Sequence, residues 1–365
     1  MSAHDTLVEI RNLSVRFPVR GGLLGPRRAV QAVNDVSLDI PRGRFFGLVG
    51  ESGSGKTTLG RAILRAAPIS GGTIAFHGGD GETLDIATMS RAQEKAFRRK
   101  AQLIFQDPYA ALSPRMTVRD IIAEPLEIMK LTRSRQETDA RVRDIAAKCR
   151  LNVEHLRRFP HAFSGGQRQR ISIARALVAN PQFLVADESV AALDVSIQAD
   201  ILNMLKALQR ELGLTFLFIS HDLSVVAHTC DTVAVMYLGQ IVEVGSRDAL
   251  FSAPRHPYTH ALLSAIPSLD PDDKGKAVKL TGEIPSPANP PSGCRFHTRC
   301  PHATALCRSE EPALRRVGSA THRVACHRSE DLYGAFPAPG GTLGSARRHG
   351  EAPQAQRVAE HEHAG

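Results

Sequence analysis

Gly50-Glu51-Ser52-Gly53-Ser54-Gly55-Lys56-Thr57 is the stretch whose reading decides the fold of this chain. It follows the pattern G-x-x-x-x-G-K-[ST], a glycine-rich loop that wraps the phosphates of a nucleoside triphosphate. Glycines let the backbone turn tightly, so that successive N–H groups point inward at an anion. Lys56 supplies a point charge for the β- and γ-phosphates, and the Thr57 hydroxyl is placed to ligate Mg²⁺. Phe45-Phe46-Gly47-Leu48-Val49 reads as a buried strand entering the loop. Thr58-Leu59-Gly60-Arg61-Ala62-Ile63-Leu64 reads as the helix leaving it, its positive N-terminal end toward the phosphates.

A chain of 365 residues with 42% apolar and 23% charged residues has ample material for a core and about two domains. No apolar run approaches the ~20 residues that span a bilayer. Met1-Ser2-Ala3-His4-Asp5 carries neither a basic nor an apolar signal region. The net charge of +9 is scattered, with Arg98-Arg99-Lys100 the densest cluster, so a solvated face or an anionic membrane surface explains it better than nucleic acid.

Leu7-Val8-Glu9-Ile10, Leu13-Ser14-Val15-Arg16-Phe17 and residues 30–40 alternate like half-buried strands and predict an antiparallel β layer before the loop. Residues 20–28, basic and glycine-rich, read as a loop between them. Phe17 is either an aromatic for stacking on adenine or a core phenylalanine. Gly78-Gly79-Asp80-Gly81 signals a hairpin, residues 91–99 a helix, and Ala101-Gln102-Leu103-Ile104-Phe105 a strand ending in Gln106-Asp107-Pro108. From there to about 160 the pattern is helical, with Ile121, Ile122, Leu126, Ile145 and Leu151 as apolar positions. Phe163-Ser164-Gly165-Gly166-Gln167 opens a second glycine-rich turn and a helix with Ile171, Ala174, Leu177 and Val178 on one face. Phe183-Leu184-Val185-Ala186 and Leu214-Thr215-Phe216-Leu217-Phe218-Ile219 are uninterrupted apolar runs suited to central parallel strands. A hairpin around Gly239 closes the core, and from about 335 onward the composition is that of a disordered tail.

Triphosphate hydrolysis needs Mg²⁺ on the β- and γ-oxygens, a group that activates water, and charge stabilisation at the γ-phosphate. Asp187 and Glu188 end one apolar strand: Asp187 suits the Mg²⁺ environment together with Thr57 and Gln106, and Glu188 suits the general base. Gln106 and His221 each follow another strand, which lets strand order bring both to the γ-phosphate.

The set 50–57, Gln106, 163–167, Asp187-Glu188 and His221 resembles the nucleotide-binding domain of an ABC transporter, over about residues 7–330. The resemblance implies an α/β P-loop NTPase core with an antiparallel β subdomain and a helical subdomain at about 107–165, together spanning 1–250. A small cysteine-bearing extension at 251–334 and the tail 335–365 follow. It implies ATP bound by Phe17, Gly50, Ser52, Gly53, Ser54, Gly55, Lys56, Thr57 and Thr58. It also implies that Ser164, Gly165, Gly166 and Gln167 contact the ATP held by an opposite subunit, with Asp194 in the loop between them. A helix N-terminus and glycine N–H groups suit that second anion site. Two departures stand out: Ser189 follows Glu188 where the family has Pro, and Ala191 stands where the family has a serine.

Gly50-Glu51-Ser52-Gly53, the segment Leu112-Ser113-Pro114-Arg115-Met116-Thr117, Leu193-Asp194-Val195-Ser196-Ile197-Gln198 and His256-Pro257-Tyr258-Thr259 are similar to oligopeptide/dipeptide importer ATPases. This implies work at the cytoplasmic face of the membrane on two permease subunits, beside a second ATPase and an extracytoplasmic solute-binding protein, with no nucleic acid. Importers of nickel or glycosides, a soluble ABC ATPase, and a redox module with a degenerate ATPase are the competing readings.

Four of the six cysteines, Cys294, Cys300, Cys307 and Cys326, fall in the spacing C-x5-C-x6-C-x18-C within a loop-rich stretch that needs a staple. An inferred cytosolic setting argues against disulfides, and four thiolates suit either Zn²⁺ or a [4Fe–4S] cluster. The resemblance points to the cluster; His297 and His327 are spare ligands in the zinc case.

Overall fold

A computed structural model of the chain describes residues 5–19, 28–79, 81–191, 193–266, 278, 280–318, 321–332, 334 and 336. The basic loop read at 20–28, save its last residue, and the tail from 335, save Phe336, lie outside the described residues. Two long strands, β1 (Thr6–Val19) and β2 (Arg28–Pro41), pair antiparallel, with Val8 opposite Ile40 and Ile10 opposite Leu38. Next come β3 (Phe45–Val49), the phosphate loop and α1 (Lys56–Ile63). The hairpin β4 (Gly71–His77) and β5 (Thr83–Asp85) then joins the first pair in the order β2-β1-β4-β5. The antiparallel layer therefore takes two strands from each side of the phosphate loop, where the sequence placed it wholly before the loop.

The next elements are α2 (Arg91–Lys100), β6 (Ala101–Ile104), α3 (Pro108–Ala111), α4 (Val118–Ile128) and α5 (Arg135–Lys148). Then follow α6 (Gly165–Leu177), β7 (Phe183–Asp187), α7 (Val195–Leu212) and β8 (Thr215–Ser220). The core closes with α8 (Leu223–Thr229), β9 (Thr232–Tyr237) and β10 (Gln240–Ser246). The helical stretch at 107–160 is as the sequence reads it: Ile121, Ile122, Leu126, Ile145 and Leu151 are buried, and α4 packs on α6.

The remaining chain holds α9 (Arg247–Ser252), α10 (Pro257–Ser264), α11 (Ala305–Ser309), β11 (Arg315–Arg316) and β12 (Arg323–Val324). The main sheet runs β11-β12-β10-β9-β3-β8-β7-β6, parallel from β9 to β6 and antiparallel beyond. Its parallel strands are apolar on both faces because both faces are covered. Phe45, Leu184 and Phe216 face the helical layer, where the Phe45 and Phe216 rings stack at 4.4 Å. Phe46, Leu48 and Val185 face the antiparallel layer.

β12 continues the main sheet, so the cysteine-bearing segment is stitched into the core rather than standing apart from it. Its start is fixed by Glu243, which has no exposed surface. Glu243 accepts from the backbone N–H of Arg255 (2.7 Å) and His256 (3.0 Å) and faces His322 Nε2 at 2.7 Å. Three partners around one buried carboxylate offset its desolvation, and removing any of them leaves a buried charge short of a donor.

Candidate functional site

Strand order makes the site. β3, β8, β7 and β6 lie side by side and point the same way, so the segments leaving their C-terminal ends share one edge of the sheet. Such an edge is where open α/β sheets bind ligands. The phosphate loop leaves β3, His221 follows β8, Asp187-Glu188 ends β7, and Gln106 follows β6.

Within the loop, Gly50 (φ 153°) and Gly55 (φ 105°) take backbone conformations unfavourable to other residues. A Cβ at Gly50 would lie 2.1 Å from the Met236 carbonyl oxygen, and one at Gly55 would lie 2.1 Å from that of Ala32. The loop is thus wedged between β9 and β2. Lys56 Nζ donates to the carbonyls of Gly50 (2.7 Å) and Glu51 (2.8 Å). Burial draws its ammonium below the usual lysine value, while the charges of Glu188, Asp187 and Glu51 oppose that shift. Ser52 and Gly53 are exposed at the tip, Ser54 is buried, and Thr58 is half-buried in α1.

The Thr57 hydroxyl donates to Asp187 Oδ1 at 2.9 Å. Burial lifts the Asp187 carboxyl above the usual carboxylate range, and the Thr57 bond partly counters it. Two hard oxygens side by side, one anionic, are the donor type Mg²⁺ takes, and a cation there reverses the cost of burying that charge. Glu188 gathers the other two polar side chains: Gln106 Nε2 donates to Oε2 at 2.9 Å, and His221 Nδ1 lies 3.4 Å from Oε1. Glu188 itself sits at φ +46°, left-handed for a residue with a Cβ, held by its N–H to the Ile219 carbonyl at 3.0 Å. That strain turns its side chain out of the register of β7, in which Asp187 remains.

The second glycine-rich turn does not join this cluster within the chain. Ser164 caps α6, accepting from the Gln167 N–H while Gln167 Oε1 accepts from the Ser164 N–H at 3.0 Å. Gly166 packs so closely on α7 that a Cβ would lie 2.5 Å from Ile197 Cγ2. Ser164 and Gln167 stay exposed, so the N-terminus of this 13-residue helix opens outward. Asp194 caps α7 without a side-chain bond. Phe17, near the end of β1, is 38% exposed, which excludes the core reading of that ring.

Two structural partners of the loop escaped the sequence reading. Arg299 grips the Glu51 carboxylate with both terminal nitrogens (2.7 and 3.1 Å), and Tyr258 Oη accepts from the Glu51 N–H at 2.9 Å. An acid inside an anion-binding loop was the available signal, since such a charge needs a cation of its own.

All four clustered cysteines are free and line one pocket with Phe296 and His297. Burial pushes the Cys294 thiol up to about 12 and Cys326 up to about 11, with neighbouring cysteines adding to each shift. Among the described residues, no three His, Cys, Asp or Glu side chains close to the spacing of a single metal ion. Neither the zinc ion nor the cluster read from the sequence is shown by this arrangement.

A family model described as ABC transporter matches residues 33–191, and one described as Oligopeptide/dipeptide transporter, C-terminal region, matches 242–307. The chain is 48% identical over 323 residues to a putative oligopeptide transport ATP-binding protein, YkfD, of Bacillus subtilis, covering 88% of this chain and 95% of that one. It is 45% identical over 320 residues to the dipeptide transport ATP-binding protein DppF of Escherichia coli, covering 88% and 93%.

The chain belongs to the ATP-binding proteins of the oligopeptide/dipeptide ABC transporter family.

Among solved structures, the ATP-binding cassette MJ0796, a dimer in a post-hydrolysis state bound to ADP and Pi, superposes with a TM-score of 0.57 at 26% identity. That match covers 66% of this chain and 99% of the cassette. The fold is the ABC ATPase fold that the resemblance implies, and the protein is an ABC-type ATPase. No helix among its described residues is long and apolar enough to cross a membrane.

Proposed function

We propose that this ABC ATPase powers peptide import as a peripheral subunit on the cytoplasmic face of a membrane permease. The observation that carries the reading is the convergence of Gln106 and His221 on Glu188, beside the Thr57–Asp187 pair, at the mouth of the phosphate loop. The relatives' names, which specify oligopeptide and dipeptide transport, support the cargo class.

In this reading the loop N–H groups and Lys56 hold the triphosphate, and Phe17 stacks on the base. Thr57, Asp187 and Gln106 would hold Mg²⁺, which would supply positive charge to the triphosphate. Glu188 takes the proton from the attacking water, and His221 orients Glu188 and reaches the γ-phosphate. The outward-facing turn of Ser164, Gly165, Gly166 and Gln167 caps the nucleotide of a second ATPase subunit, with Asp194 along the joint. The dimer of the cassette MJ0796 supports such pairing. Ala191 offers no hydroxyl across that joint, so Asp194 carries more of the coupling.

The permease partners dock beside Gln106. Phe105, Tyr109 and Ile128 are all exposed, and a cavity of about 250 Å³ opens between Phe105, Pro125, Ile128, Met129 and Arg175. A groove walled by α4, α6 and the end of β6, with an apolar rim, is suited to a helix end from a partner. Replacing Phe105 and Ile128 together with Asp is expected to abolish co-purification with the two permease subunits from membranes while leaving ATP affinity within about twofold, since exposed positions seldom disturb folding. Retention of the complex would count against this surface. A solute-binding protein outside the membrane delivers the peptide.

The cysteine pocket completes the reading. Four free thiols on one pocket, each a soft donor, suit a [4Fe–4S] cluster or zinc, and the family resemblance favours the cluster. Cys294, Cys300, Cys307 and Cys326 would hold it, and burial, which raises the thiols of Cys294, Cys300 and Cys326, means that binding must displace their protons. Protein purified without oxygen is expected to contain equimolar iron and sulfide with broad visible absorbance, both lost in Cys300→Ser. Colourless anaerobic protein with no iron would remove the cluster from the account.

A further inference from the structure

The geometry points to Arg299, acting with Tyr258, as a positioning residue for the ATP site: the cysteine-bearing extension holds the phosphate loop in its nucleotide-binding shape. Glu51 is the second residue of that loop, and every polar group it carries is engaged. Its carboxylate takes the Arg299 fork at 2.7 and 3.1 Å, its N–H donates to Tyr258 Oη at 2.9 Å, and its carbonyl accepts from Lys56 Nζ at 2.8 Å. Two of these partners, Tyr258 and Arg299, lie in the extension, 207 and 248 residues further along the chain.

Both extension residues are themselves fixed. Tyr258 has no exposed surface, and Arg299 is 7% exposed. Phe296, three residues before Arg299 and 1% exposed, packs on Tyr258 and Tyr237 with ring centroids 5.4 and 5.3 Å apart. A two-pronged guanidinium–carboxylate contact fixes orientation as well as distance. The extension braces the other side of the loop too. Arg295 donates to the Leu238 carbonyl at 2.6 Å, and the next residue, Gly239, donates its N–H to the Ser54 carbonyl at 2.8 Å. A glycine-rich loop loses much backbone freedom when it wraps a phosphate, so holding it beforehand lowers the entropic cost of binding ATP. Arg299 touches no phosphate in this scheme; its charge is spent on Glu51, and it acts on ATP only through the loop.

The test measures equilibrium ATP binding with Mg²⁺, and the KM and kcat of ATP hydrolysis, on the full-length chain with the binding-competent fraction titrated. Arg299→Met is expected to raise Kd and KM together by roughly tenfold, with kcat at saturating ATP within about twofold. Arg299→Lys keeps the charge without the fork and is expected to lie between Met and parent. Tyr258→Phe, which removes only the acceptor for the Glu51 N–H, is expected to raise Kd by a few-fold. Because Arg299 works through Glu51, combining Arg299→Met with Glu51→Gln is expected to weaken binding by clearly less than the product of the two single effects. A merely structural role predicts a lower melting midpoint and a smaller competent fraction, with the Kd and KM of that fraction unchanged. That result, in Arg299→Lys or Tyr258→Phe if Arg299→Met does not fold, overturns the proposal. So does strict additivity with Glu51→Gln. Loss of all ATP binding in the parent chain would instead strike at the ATPase assignment itself.

Discussion

Glu188→Gln is expected to cut ATP turnover by roughly 10²- to 10⁴-fold, the range a positioned general base contributes. Nucleotide affinity should change far less, because the substitution keeps the side chain's size and removes only its capacity to take a proton. The amide can still meet Gln106, which donates to one carboxylate oxygen at 2.9 Å in the parent, and His221, which lies 3.4 Å from the other. ATP should therefore bind and persist, holding two ATPase subunits together with the α6 turn of each against the other's nucleotide. Single-turnover hydrolysis and sedimentation with ATP and Mg²⁺ measure the two halves of this expectation. A parent-like rate would remove Glu188 from the role of base, and His221 would then be the next group to test.

Lys56→Ala is expected to act on binding instead. The ammonium sits 2.7 and 2.8 Å from the carbonyls of Gly50 and Glu51, at the centre of the loop's concavity, where it is largely desolvated. A hydrogen bond to a charged group contributes about 1.5–3 kcal/mol, so ATP affinity should fall roughly 10- to 150-fold. The alanine also frees the two carbonyls that the lysine holds, which loosens the loop and pushes the effect toward the upper end. Titration with a fluorescent ATP analogue reads this directly. Unchanged affinity with a lowered kcat would mean that Lys56 serves the transition state alone.

Local pattern revealed much of the core because local pattern is what dictates it. The runs at 183–186 and 214–219 are apolar, save Thr215, since both sheet faces are covered, and each ends in a polar residue where the strand leaves the core. Gln106, Asp187, Glu188 and His221 were legible for that reason: each sits at or just past the end of a strand of the main sheet. The order of those strands, not their existence, brings the side chains together, and order carries no period in the sequence.

The extension was hardest to read. β12 is two residues long, too short for alternation to show, yet it decides that the segment belongs to the main sheet. The antiparallel layer was half missed because β4 and β5 pair back across the phosphate loop and α1, a connection no local motif records. Phe17 needed its surroundings, since a phenylalanine on an alternating strand reads the same whether its face meets the core or solvent. The Arg299–Glu51 contact spans 248 residues and left only an indirect trace, the acid in the phosphate loop.

The central claim is that ATP hydrolysis by this chain drives peptides across a membrane. Its most direct test is peptide uptake into proteoliposomes that contain the permease pair, its solute-binding protein and the ATPase subunits, with ATP on the ATPase side. Uptake should require this chain and Mg²⁺, and should stop when Glu188→Gln replaces the parent. Peptide uptake that continues undiminished without this chain, or with the Glu188→Gln form, would contradict the account.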